Sequence, residues 1–203
     1  MKVDKEKLYK VESIRTLGSR FYRSSKLTSM LIKLNITANQ VTFLSWISGL
    51  LGVFIFCTEI RIFSIPFFYF YSVLDSSDGW VSRYMGTNST FGNHLDHLNH
   101  GIVTTSLFIS IMFLTKQYFL CFLAITLFLF SMFIASHDMR LLGDHYEKIH
   151  TLTPQLFLDI ALYLGIVFNY FDPVIIGNLL VFGAIFVLSI ITKNQKEIIE
   201  NSL

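Results

Sequence analysis

Between residues 75 and 100 the chain reads DSSDGWVSRYMGTNSTFGNHLDHLNH, and on both sides it runs into apolar sequence, IFSIPFFYFYSVL before and GIVTTSLFISIMFLT after. Asp75, Asp78, Arg83 and Asp96 therefore lie where the flanks have the character of membrane-spanning helix. Ionisable groups at that depth are expensive, and they mark a functional site by default. The plain alternative is a polar cytoplasmic loop between two spans.

Spacing favours the functional reading. On a helix, Asp75, Asp78 and Ser82 fall at i, i+3 and i+7 and share a face, with Gly79 leaving room beside them. After a turn-like YMGTNSTF segment, Asp96 and His100 follow at i and i+4 on the next helix. Asp75 precedes Arg83 by eight residues and His100 follows Gly92 by eight. An antiparallel hairpin would therefore bring the groups to a common depth about 12 Å below the turn. Three carboxylates converging there would repel one another unless divalent cations lie between them, and hard carboxylate oxygens suit Mg²⁺ or Mn²⁺.

The same residues resemble the signature of the CDP-alcohol phosphotransferases, also called CDP-alcohol phosphatidyltransferases. That signature is D, two residues, DG, two residues, AR, eight residues, G, three residues, D, three residues, D. Asp75, Asp78, Gly79, Arg83, Gly92 and Asp96 stand at its positions with every spacing kept; Ser82 replaces the alanine and His100 the last aspartate. Residues 36–52, ITANQVTFLSWISGLLG, resemble the family's first membrane helix, with Ala38 where a proline is common. The resemblance implies a two-metal site held by Asp75, Asp78 and Asp96, and a cytidine diphosphate pocket lined by Gly79, Ser82, Arg83 and Gly92. It also places His100 where the family's general base stands. An imidazole, with its ordinary pKa of about 6.5, is a competent base near neutral pH but a poor Mg²⁺ ligand.

The wider chain agrees with a membrane protein of one compact domain. Its 203 residues are 53% hydrophobic and 16% aromatic, with only three prolines and no low-complexity linker. A net charge of +2 gives no ground for a nucleic-acid partner. Spans are expected at 38–58, 62–85, 92–115, 117–137, 154–171 and 173–192. The expected fold is thus an all-α integral membrane protein, with six transmembrane helices and an N-terminal amphipathic surface helix. Residues 1–33 form the juxtamembrane segment, 34–192 the catalytic domain and 193–203 a cytoplasmic tail.

Residues 1–33 carry nine Lys or Arg against three acids, and Leu8, Val11, Ile14, Leu17 and Phe21 recur at helical spacing. Such a helix would lie on an anionic membrane surface; alternatively, Arg15, Arg20 or Arg23 contacts an anionic substrate. No apolar core of a cleavable signal is visible in this segment. Fourteen of the 16 basic residues fall on the side of the 83–92 turn, which places the site and both termini in the cytoplasm of a cell (inner) membrane protein.

His94, His97 and His100 at steps of three cannot all face one ion, because positions 94 and 100 are about 120° apart on a helix. Cys57 and Cys121 lack metal-ligand spacing and are expected to be buried thiols. Gly49 and Gly52 are expected to let helices approach closely. In the 137–150 loop, Arg140 and Lys148 are candidates for acceptor binding.

The expected activity is transfer of a substituted phosphoryl group from a CMP-linked donor to a lipid or polar alcohol acceptor, with release of CMP. The resemblance further implies lipid contacts and a homodimer. Two other classes fit the residues: a silent relative acting as a membrane scaffold, and a small divalent-cation transporter using the carboxylates as an ion path.

Overall fold

A computed structural model describes residues 25–87, 89–133 and 154–200. All regular elements among the described residues are helical. They are α1 (Ser25–Lys33), α2 (Ala38–Phe56), a 3-10 turn (Arg61–Phe63), α3 (Ser64–Met85) and α4 (Thr90–Thr115). Then come α5 (Tyr118–Phe133), α6 (Pro154–Phe168) and α7 (Asp172–Glu200). The basic segment before residue 25, with Arg15, Arg20 and Arg23, lies outside the described residues, as does the 137–150 loop with Arg140 and Lys148.

The helix boundaries have local causes. Thr37 caps α2: its hydroxyl accepts from the Gln40 backbone N–H, while the Gln40 side chain accepts from the Thr37 N–H at 2.9 Å. Such a reciprocal cap stabilises a helix start by about 1 kcal/mol. At the end of α1, Asn35 takes φ 55°, and Ile36 N–H reaches back to the Leu31 carbonyl at 3.0 Å. The left-handed residue satisfies carbonyls that the helix would otherwise leave open. Gly86, at φ 68°, ends α3 the same way, with Thr87 N–H bonded to the Ser82 carbonyl. That stop fixes where the chain turns between α3 and α4.

α2, with 19 residues, and the His94–Thr115 part of α4, with 22, are long and apolar enough to cross a membrane. Tyr118–Phe133, Leu158–Phe168 and Asp172–Val187 are apolar but shorter. α3 has 22 residues, but Asp75, Asp78 and Arg83 make its second half polar.

The chain divides into two compact units, Met1–Leu107 and Phe108–Leu203. In the first, small and polar side chains share the interior with apolar ones such as Val41, Phe68 and Val103. Thr42, Ser45, Ser72, Ser77, Asp78 and Asn99 are buried, while Phe43, Phe54 and Phe70 are exposed. A bundle set in lipid would gain nothing by hiding apolar side chains from one another, and its interior could hold small and polar residues as this one does. Gly49 and Gly52 show the close approach directly. A Cβ on Gly49 would lie 2.8 Å from Val103 of α4 and 3.0 Å from the Tyr71 ring of α3, and one on Gly52 would lie 3.0 Å from Phe68. Leu31 and Ile32 of α1 pack with Val41, Val81 and Tyr84, which seats α1 against the starts and ends of α2 and α3 nearest the turn.

In the second unit, Gln117 Nε2 donates to Asp172 Oδ1 at 2.7 Å, tying the start of α5 to that of α7. Edge-on ring pairs at 5.1 Å, Phe128 with Phe182 and Phe130 with Phe186, continue this contact along the two helices. Gly165 lets Phe171 fold back to within 2.9 Å of where a Cβ would stand. Both cysteines are free, and Cys57, expected to be buried, is exposed because it caps the end of α2 rather than lying within a packed turn.

Candidate catalytic centre

α3 and α4 face each other below the Gly86 turn, and their polar thirds meet. His100 Nε2 lies 3.1 Å from Asp75 Oδ2, a contact made across 25 residues of sequence by the hairpin alone. Asp96, one turn before His100, completes a group of three in which one ligand atom from each residue lies within 4.8 Å of the others. Asp75 is about a tenth exposed and His100 a quarter, so the group is accessible without being open.

The other ring nitrogen of His100 is engaged too. Tyr71 Oη lies 3.0 Å from Nδ1, and the two rings meet edge-on at 6.0 Å. Tyr71 stands one turn before Asp75 on α3, so one face of that helix supplies both partners of the imidazole. Two nitrogens held by a carboxylate and a hydroxyl leave the ring no freedom to turn.

Asp78 is placed differently from its neighbours. Three residues along an α-helix is 300° of rotation, which leaves Asp78 about 60° around from Asp75 and aimed at α2. There Thr42 Oγ1 donates to Asp78 Oδ2 at 2.6 Å, and the pair is buried. Next to it, Asn99 Nδ2 donates to Ser45 Oγ at 2.7 Å, and Ser45 Oγ donates to the Thr42 carbonyl at 2.8 Å. A buried polar seam thus joins α2 to both arms of the hairpin.

The four remaining residues of the motif lie between this group and the turn. Gly79, Ser82 and Arg83 lie one to two turns further along α3 toward the turn, each partly buried. Gly92 begins the corresponding stretch of α4, where its N–H is bonded to Ser89 Oγ at 3.0 Å. A Cβ on Gly92 would lie 3.3 Å from Asn39 Oδ1, so the first turn of α2 closes against this end of the hairpin. The three histidines at steps of three do not gather: His94 is exposed, and His100 alone joins the ligating group.

Asp75 Oδ1 is buried with no hydrogen-bond partner, although Oδ2 is engaged by His100. A carboxylate oxygen taken from water without a donor is costly, and a cation relieves that cost. The donor set and the orphaned oxygen therefore fit a divalent metal.

The model of the CDP-alcohol phosphatidyltransferase family matches residues 35–192, more than three quarters of the chain. The chain belongs to that family. No match was found among curated proteins or among solved structures. Membership of the CDP-alcohol phosphatidyltransferases supports a transferase with a phosphotransfer role in lipid synthesis. It also implies a CDP-alcohol donor and an alcohol acceptor. The family is membrane-associated, in keeping with the two helices long and apolar enough to cross.

Sequence spacing pointed to Asp75, Asp96 and His100 but not to Tyr71, Thr42, Ser45 or Asn99. A signal for α2 existed: Thr42, Ser45, Gly49 and Gly52 recur at three and four residues on an otherwise apolar helix. Tyr71 offered a weaker one, as a hydroxyl one turn from Asp75.

Proposed function

We propose that the chain is an integral membrane enzyme that moves a substituted phosphoryl group, a phospho-alcohol or a phosphonate, from a CMP-linked donor to an acceptor hydroxyl and releases CMP. The observation that carries this reading is the Asp75–Asp96–His100 group, formed across the α3–α4 hairpin at motif positions of the family.

In the transfer, the acceptor O–H gives up its proton and its oxygen forms a bond to phosphorus. The P–O bond to CMP breaks, and its electron pair leaves with CMP. Asp75 and Asp96, with Asp78 beside them, are the residues that would hold divalent metal, Mg²⁺ or Mn²⁺. Such ions, when bound, neutralise charge on the attacking and leaving oxygens. The hydroxyl proton is received on α4, where Asp96 and His100 stand one turn apart. Gly79 and Gly92 admit the nucleotide closely, while Ser82 and Arg83 meet its phosphates and ribose from α3. Tyr71 and Thr42 fix the imidazole and the buried Asp78 so that neither has to be ordered during the reaction.

Around this centre the proposal sets six membrane spans, both termini and the site in the cytoplasm of a cell (inner) membrane protein, and a homodimer. The acceptor is a lipid or a polar alcohol reaching the site from the bilayer or the cytoplasm.

The test is release of CMP by the purified protein in detergent or nanodiscs. The assay would take CDP-diacylglycerol and a panel of soluble CDP-alcohols, with Asp75→Asn as the control. CMP formed by the parent and not by the variant supports the reading; a parent that releases none from any donor, with each acceptor class supplied, overturns it. Metal flux into proteoliposomes without nucleotide would instead identify a transporter.

A further inference from the structure

His100 is arranged as a metal-ligating histidine is arranged. One ring nitrogen faces two carboxylates, and the other already has the outer hydrogen-bond partner that such histidines keep. We propose that His100 Nε2 is a nitrogen ligand in a mixed Asp75–Asp96–His100 cation site, which selects Mn²⁺ or its first-row neighbours over Mg²⁺, and that Tyr71 is the positioning residue for it. This rests on the reading of the group as the metal centre of the transferase.

The ligand chemistry sets the preference. Mg²⁺ demands near-ideal octahedral oxygen and gives up water reluctantly, whereas imidazole nitrogen suits the transition ions, and Mn²⁺ accepts carboxylates as well. Three carboxylates alone would give no reason to discriminate; the imidazole supplies one. It also separates the roles on α4: with Nε2 committed to the ion and Nδ1 held by Tyr71, His100 has no free nitrogen, whereas Asp96 gives the ion one oxygen and keeps the other to receive the acceptor proton.

Tyr71 makes the arrangement workable in both states of the site. Without metal, Nε2–H donates to Asp75 and Nδ1 accepts from the tyrosine hydroxyl. With Nε2 turned into a metal ligand, the proton sits on Nδ1 and is donated to the same tyrosine oxygen. A hydroxyl serves as donor or acceptor, so it fits either tautomer. The ring cannot swing away, because Tyr71 is buried and packs into the notch left by Gly49.

The experiment uses the full chain in detergent, stripped of metal and reloaded with Mn²⁺ alone, and reads pulsed electron paramagnetic resonance together with displacement of Mn²⁺ by Mg²⁺. The parent is expected to show ¹⁴N coupling to the bound Mn²⁺. His100→Asp should bind Mn²⁺ without that coupling and shift its preference toward Mg²⁺ by about tenfold or more, while His97→Asn keeps the signal. Tyr71→Phe should weaken Mn²⁺ binding by about 10- to 100-fold, the usual effect of removing an outer partner, and leave Mg²⁺ displacement of His100→Asp unchanged when combined with it. Bound Mn²⁺ without ¹⁴N coupling in the parent overturns the proposal, as does coupling that survives in His100→Asp; both readouts of the parent stand even if a variant does not fold. A parent that shows coupling yet releases no CMP would overturn the transferase reading and leave the ligand assignment intact.

Discussion

Thr42 on α2 donates a 2.6 Å hydrogen bond to Asp78 on α3, 36 residues later in the chain, and both side chains are buried. A bond of this length in a water-poor interior holds the Asp78 side chain in one orientation. α2 thus has a part in the site, although it contributes none of the motif residues from 75 to 100.

Thr42→Val keeps the volume and removes the donor. We expect a loss of about 1–3 kcal/mol in stability from the buried acceptor left behind, and at least a tenfold fall in CMP release. Thr42→Ser should recover most of both. Thermal unfolding in detergent and initial rates at saturating donor check this, and a valine variant with parental rates would remove Thr42 from any role in orienting Asp78.

Asp75→Asn, Asp78→Asn and Asp96→Asn should each abolish most activity while the protein still purifies as a folded species. Chelation of divalent metal should do the same to the parent, reversibly. Full activity in any two of the three variants contradicts a carboxylate-held metal centre.

Gly49 offers a test of the close helix approach. A Cβ there meets Val103 and Tyr71 at 2.8 and 3.0 Å, whereas one on Gly183 of α7 meets nothing within 4 Å. Gly49→Ala should destabilise by about 1–3 kcal/mol through overpacking, and Gly183→Ala should be neutral or slightly stabilising through helix propensity. Equal unfolding temperatures for the two variants would contradict the packing.

Orientation is measurable with single cysteines in a background lacking Cys57 and Cys121. Thr87 and Lys116 flank α4 at its two ends, and both are exposed. Thr87→Cys should react with a membrane-impermeant reagent added from the cytoplasmic side and Lys116→Cys with one added from outside. Reversed labelling would cut the site off from its nucleotide donor.

The helices and the hairpin were legible because membrane segments are written in long apolar runs, broken by turn residues such as Gly86 and Asn35. Equal eight-residue offsets from Arg83 and Gly92 placed Asp75 opposite His100, and their 3.1 Å contact matches that registration. The polar seam was not legible. Thr42, Ser45 and Asn99 are common residue types, and the pairs Thr42–Asp78 and Ser45–Asn99 are separated by 36 and 54 positions. No periodicity reports how α2 is rotated against α3. Nor did shared-face counting foresee that the 60° between Asp75 and Asp78 would send one carboxylate to α4 and the other to α2.

The seam and the glycine notches constrain the same sliding coordinate. A shift of α2 by one helical turn, about 5.4 Å, would pull Thr42 from Asp78 and Ser45 from Asn99, and would bring Ser45 or Val53 toward the place of Gly49, against Tyr71 and Val103. In a bilayer, where no hydrophobic force selects one alignment over its neighbour, these contacts act as teeth of different shape that mesh in a single setting. Misassembled protein would then be inactive protein, and active-site chemistry a direct report on helix insertion.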